Sequence, residues 1–233
     1  MPSDADTAEP VAGVAHRREM MGIVRALDLI GGAAGRAPSP RGVVLLLHGG
    51  AEASTQPVTL RSGAWNRARI LGRSIAPSLG RAGVATYGLR YSVRGWNSPP
   101  GEPSPLGDAR WALERIHARH PDAPIVLLGH SMGARVALWV AEDPGVIGVV
   151  GLAPWWPADD PVDALPGRHV VGIHGARDRI TSPRHTRKLL HRAEAVAAST
   201  QYVEMGPVGH YMLSHVREWN RAALRHTLTV LTK

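Results

Sequence analysis

Four unbroken apolar runs constrain this chain more than any other feature: residues 43–47 (Val-Val-Leu-Leu-Leu), 125–128 (Ile-Val-Leu-Leu), 146–152 (Val-Ile-Gly-Val-Val-Gly-Leu) and 170–173 (Val-Val-Gly-Ile). Each is too short for a core helix and shows no polar alternation, so each reads as a strand buried on both faces. Further strands are expected within 83–91 and at 202–205. Helical periodicity fills the intervals at 64–79, 108–120, 134–142, 183–195 and 211–231, with Pro77 expected to end or kink the first of these. Strands alternating with helices predict an α/β fold, a mainly parallel sheet with helices on both faces.

A chain of 233 residues buries the core of one large α/β domain and has little room for a second, so residues 1–233 are expected to form a single domain. Residues 1–10 read as frayed, 11–30 as ambiguous between short strands and a helix, 31–40 as a glycine-proline connector and 92–107 as a surface loop. No apolar run approaches the roughly 20 residues of a membrane span. The N-terminus lacks a basic region followed by an apolar core, and no apolar stretch follows Arg17-Arg18, so a cytoplasmic protein is expected.

The formal net charge of +8 comes from arginines spread singly from Arg17 to Arg225 and interleaved with acids. That pattern predicts a solvated basic surface, not a nucleic-acid partner. The absence of cysteine removes disulfides, thiolate metal sites and a thiol nucleophile, so any nucleophile of this kind has to be serine.

Gly129-His130-Ser131-Met132-Gly133 lies where the 125–128 run gives way to a helical stretch. A serine on so tight a turn needs small residues two positions away on either side, because a Cβ there would collide as the chain reverses. Three other strands end in loops with polar groups. His48-Gly49-Gly50 is a turn able to present N–H groups to an anion, His174-Gly175-Ala176-Arg177-Asp178 carries a carboxylate, and Gly206-Pro207-Val208-Gly209-His210 ends in histidine.

Serine, aspartate and histidine in this order, each just after a strand, resemble the α/β-hydrolase superfamily over about residues 41–233. The resemblance implies that Ser131 is the nucleophile on its elbow, His210 the general base and Asp178 the acid that orients it. It assigns the oxyanion hole to the N–H groups of Met132 and Gly50, with Ala51 the alternative to Gly50. Asp160 and Asp163, after the 146–152 strand, are alternative acids, whereas His48, His130 and His174 are turn histidines outside the triad. Residues 153–169 are too few for a helical cap, so an uncapped, open site is expected. Trp155 and Trp156 either line its acyl-binding cleft, as in the uncapped esterases they resemble, or pack their loop onto the sheet. Arg90 and Arg94 either meet an acidic substrate group or are solvated. The activity implied is hydrolysis of a small-molecule carboxylic ester through an acyl-enzyme, with no metal or other cofactor. A thioesterase or amidase using the same residues is the alternative enzyme, and a non-catalytic hydrolase-fold binding protein is the alternative from another class. Nothing in the sequence speaks to the oligomeric state.

Overall fold

The computed structural model describes residues 24–31, 39–97 and 103–233. The expectations for residues 1–10, for most of 11–30 and of 31–40, and for part of the 92–107 loop lie outside the described residues. The elements follow in chain order as β1 (Ala26–Gly31), β2 (Gly42–Leu47), α1 (Gly63–Arg81), β3 (Val84–Arg90), α2 (Pro105–Arg119) and β4 (Ile125–His130). They continue as α3 (Met132–Trp139), β5 (Val146–Leu152), β6 (His169–His174), α4 (Pro183–Ala193), β7 (Ser199–Glu204) and α5 (Val216–Leu231).

The seven strands among the described residues form one sheet in the order β1-β3-β2-β4-β5-β6-β7. Every neighbouring pair is parallel except β1 with β3. The apolar runs explain the layering. Successive side chains of a strand point to opposite faces, so Val43, Leu45 and Leu47 of β2 enter one core while Val44 and Leu46 enter the other. Leu113 and Ile116 of α2, Val136 of α3 and Leu189 of α4 cover the first face, and Leu71 and Ile75 of α1 with Trp219 and Val230 of α5 cover the second. Burying one Leu or Val fully is worth about 1.5–3 kcal/mol, and β2 and β4 are buried at every position, so these two strands anchor both layers.

Helix boundaries depart from the periodicity in instructive ways. Pro77 neither ends nor breaks α1, because Pro77 and Arg73, whose carbonyl it leaves unpaired, both face water. Helix α2 starts three residues before Asp108: the Ser104 hydroxyl accepts from Gly107 N–H at 3.3 Å and Pro105 takes the first turn, a start signal read in the sequence as loop. Helical periodicity over 134–142 predicts an amphipathic helix, but α3 is buried on almost all sides since it is wedged between the sheet and its neighbours. The last helix begins at Val216 and not near Tyr211, because Met212 (φ 53°) and His215 (φ 54°) hold left-handed conformations that no helix contains.

After β2 the chain runs outward to β3, then crosses back to place β4 on the other side of β2. The loops leaving β2 and β4 therefore diverge and open a crevice at the carboxyl end of the sheet, where open α/β sheets bind ligands. Among the described residues no helix is long and apolar enough to cross a membrane.

Candidate active site

Ser131 sits at the mouth of that crevice in a conformation a serine rarely adopts, φ 54° and ψ −120°. Such a backbone costs on the order of 1–3 kcal/mol and persists only where the surroundings hold it. Here Ser131 N–H donates to Leu152 O (3.1 Å) and Ser131 O accepts from Trp155 N–H (3.1 Å), tying the turn to β5 and the loop after it. The flanking glycines are required by contact. A Cβ at Gly133 would run into the Leu47 carbonyl and one at Gly129 into the backbone of Ala134. Gly133→Ala should therefore cost more than about 3 kcal/mol or prevent folding, whereas Gly63→Ala, where no atom lies within 4 Å of the new methyl, should fold normally. Thermal melts of the two variants compare them directly, and equal melting temperatures would contradict the close approach.

The serine belongs to a continuous relay. Ser131 Oγ lies 3.0 Å from His210 Nε2, and His210 Nδ1 lies 2.8 Å from Asp178 Oδ2. With His210 Nδ1–H donating to the carboxylate, Nε2 is left to accept the serine proton. All three side chains are buried. The imidazole is further held from behind, since His130 Nε2–H donates to the His210 carbonyl at 3.1 Å.

Asp178 receives more than His210. Its Oδ1 accepts from the N–H groups of Ile180 (2.8 Å) and Thr181 (2.9 Å), and its Oδ2 from Thr181 Oγ1 (2.9 Å) and His174 Nε2 (3.0 Å). Burial alone would push this carboxyl up, but the hydrogen bonds from His174, His210, Thr181 and Ile180 outweigh it and hold the group well below the usual carboxylate range. Asp178 is thus a carboxylate, and so an acceptor, at any pH at which the protein functions. His174 and Thr181 were not singled out as its partners, because neither role has a local signature: each exists only where β6, its loop and the His210 loop meet.

The alternative acids stand elsewhere. Asp160 forms a two-pronged pair with Arg135, at 2.7 Å to Nε and 2.6 Å to Nη2, and Asp163 is exposed. The guanidinium of Arg135 lies over both Trp96 and Trp155, 4.4 and 4.5 Å from their ring centres, in the corner that the two indoles form at 74° to each other. Trp155 is half-buried in this corner. Trp156 corrects the expectation of a cleft-lining pair: it is buried, donates Nε1–H to Ala134 O at 2.9 Å, and fills the space above two sheet glycines. A Cβ at Gly151 would lie 2.7 Å from its ring. Trp156 therefore packs its loop onto the sheet.

The β2 turn lies against the elbow so closely that a Cβ at Gly50 would come within 2.5 Å of Met132 Sδ. Ala51 N–H donates to Arg94 O (2.9 Å) and is not free for a ligand. Gly50 N–H makes no backbone hydrogen bond among the described residues, and Met132 N–H, first in α3, has no partner within the helix. Both stand at the positive end of that helix. Among the described residues no group of His, Asp and Glu is arranged to bind a metal ion.

Two neighbouring histidines tie the site to acid stability. Burial lowers His48 to about 4 against the partly opposing Gly49 carbonyl bond, and burial with the adjacent His210 lowers His130 to about 3, from an ordinary 6.5. Between those values and 6.5 the unfolded chain binds protons that the folded chain does not. Their contribution is therefore complete above pH ~6.5 and declines as pH falls, by about 2 kcal/mol per histidine at pH 5. Melting temperature should be level above neutrality and drop steeply from pH 6.5 towards 4. A melting temperature independent of pH across that window would contradict the burial of both rings.

Comparisons with known proteins converge on one fold. A family model described as alpha/beta hydrolase fold matches residues 42–166. A lidless α/β serine hydrolase from Xanthomonas campestris superposes with a TM-score of 0.59 at 18% identity, covering 88% of this chain and 87% of that one. An esterase from Thermogutta terrifontis gives 0.67 at 15% identity, covering 89% of each chain. A monoacylglycerol lipase from Paleococcus ferrophilus gives 0.60 at 16% identity, covering 89% and 98%. No curated protein sequence matches the chain. The seven-stranded sheet, which carries no large cap among the described residues, and the family match over more than half the length agree: the chain belongs to the α/β-hydrolase fold family.

Proposed function

We propose that this protein is a serine hydrolase that cleaves carboxylic esters through an acyl-enzyme on Ser131. The observation that carries the reading is the relay from Ser131 through His210 to Asp178, with contacts of 3.0 and 2.8 Å. A free serine hydroxyl is a weak nucleophile at neutral pH, and a hydrogen-bonded imidazole removes that obstacle. As Ser131 Oγ bonds to the ester carbonyl carbon, its proton passes to His210 Nε2, and Asp178 stabilises the imidazolium that forms. The carbonyl oxygen becomes an oxyanion held by the N–H groups of Gly50 and Met132. Collapse of the tetrahedral adduct breaks the bond to the alcohol, which leaves with the proton from His210. Water then attacks the acyl group with His210 again as base, and Ser131 is released.

The direct test is covalent labelling by a fluorophosphonate, followed by a panel of p-nitrophenyl esters of increasing acyl length run beside thioester and amide probes. Adduct on Ser131 and turnover of esters ahead of the other probes are expected. Preferred turnover of thioesters or amides would reassign the substrate, and failure to label Ser131 would favour a binding protein. His210→Ala should abolish most activity; a variant that keeps the rate would exclude His210 as the base.

A further inference from the structure

A cavity of about 440 Å3 opens beside the β2 turn, with His48, Gly49, Gly50, Arg61 and Arg94 in its lining. Among the described residues, every charged side chain in this wall is an arginine, and no carboxylate belongs to it. Among the described residues, Arg61 forms no ion pair, and the guanidinium of Arg94 donates only to the neutral Gln56 Oε1, at 3.0 Å. A third arginine stands behind the wall: Arg90 Nη1 donates to the carbonyl of Val58, a wall residue, at 2.7 Å. His48 shows the same field, since after burial itself the charge of Arg90 helps to keep its ring neutral.

Arg61 and Arg94 are both exposed, but like charges gathered around a concave wall still raise its positive potential, and an anion seated there relieves it. Gly50, at one end of the wall, carries one of the two N–H groups assigned above to the oxyanion. The cavity is therefore contiguous with the place where the ester carbonyl would sit. No residue of the His210 loop lines it, whereas the departing alcohol has to lie against His210 Nε2 to receive its proton. The half of the ester that can enter is the acyl half. A groove of about 260 Å3, which shares Gly63 with this cavity, follows directly on from the His210 loop and is mainly apolar, with Ile70, Met212, Leu213 and Val216 in its wall beside a single arginine, Arg67. The two spaces thus differ in the chemistry they offer.

We infer that the cavity beside the β2 turn is an acyl subsite selective for acyl groups ending in a carboxylate, held by Arg61 and Arg94. The inference rests on the ester-hydrolase reading for the direction in which the substrate lies. Guanidinium groups suit the role because their planar, permanently charged forks match the two oxygens of a carboxylate.

Two esters with the same leaving group and similar acyl length decide it: mono-p-nitrophenyl glutarate, which is anionic, and p-nitrophenyl pentanoate, which is neutral. After subtraction of spontaneous hydrolysis, the wild-type ratio of kcat/KM, anionic over neutral, should be about tenfold or more at low ionic strength and fall as salt is added. In the Arg61→Gln, Arg94→Gln double variant that ratio should collapse towards one. A wild-type ratio of one or less, or a ratio unchanged in the double variant, would overturn the assignment. Glutarate itself, titrated calorimetrically, reads the same contacts without turnover: it should bind the wild type and lose at least about tenfold in affinity in the double variant. No binding, or equal binding by both proteins, overturns the subsite. A protein that cleaves neither ester would sink the hydrolase reading, while this titration would still decide whether the arginines take a carboxylate.

Discussion

Ser131→Ala should leave essentially no ester turnover, a loss on the order of 10⁶ in kcat, in a protein that folds as the wild type does. The substitution removes one atom, the Oγ that lies 3.0 Å from His210 Nε2. Alanine and serine meet the same backbone strain at φ 54°, and Ser131 N–H and C=O keep their bonds to Leu152 and Trp155, so the melting temperature should move little. The donors at Gly50 and Met132 would remain, and in the serine-protease precedent such a remnant still exceeds water by 10³–10⁴. Mass spectrometry of the stalled wild-type reaction should place one acyl group on Ser131 and none on the variant. Turnover close to wild type in Ser131→Ala, or acylation at another residue, would refute the assignment.

Asp178→Asn should lower kcat by roughly 10⁴, the cost of the corresponding change in the serine-protease precedent. The amide has the shape of the carboxylate but one fewer accepting oxygen. Oδ2 accepts from His210, His174 and Thr181 at once; an NH2 in that place would oppose all three donors and favour the tautomer of His210 that cannot take the serine proton. An amide also cannot stabilise the imidazolium. The same convergence of donors means that this variant should lose stability as well, so activity has to be measured well below its melting transition with circular dichroism to confirm the fold. Asp163→Asn, at an exposed position, is the matched control and should stay within about tenfold. Asp160→Asn leaves Arg135 over two indoles without its counter-charge, so it should melt earlier yet keep its turnover per folded molecule. Collapse of activity in Asp160→Asn with Asp178→Asn nearly intact would move the acid to the loop after β5.

How much of this was legible along the chain depends on the range over which each feature is decided. Strand β2 was readable because five apolar residues in succession suit almost nothing but a strand buried on both faces. The elbow was readable because its requirement is local, two small residues flanking a reversal. Pro105 was missed as a helix start although its signal was local too: Ser104-Pro105 is a cap and a first turn, and it lay in a stretch whose glycines and prolines suggested only loop. The choice between Asp178 and Asp160 was a different matter. Both follow a strand, and what separates them is that Arg135, on α3, reaches Asp160 while His174 and His210 close on Asp178.

The sequence by itself determined the alternation of strands and helices, the carboxyl-end placement of Ser131, Asp178 and His210, and the reversal at Ser131, because each depends on residues within a few positions of one another. Only the tertiary structure decided which way the tryptophans turn, with Trp156 filling the space over Gly151 and Trp155 stacking on Arg135. It also decided which turn N–H is engaged, Ala51 by Arg94, and that Arg61 and Arg94, far apart in the chain, border one cavity. Those outcomes join segments separated by tens of residues. Their energies come from contacts that exist only once the sheet has brought the loops to a common edge, and hydrophobic pattern and turn chemistry carry no record of them.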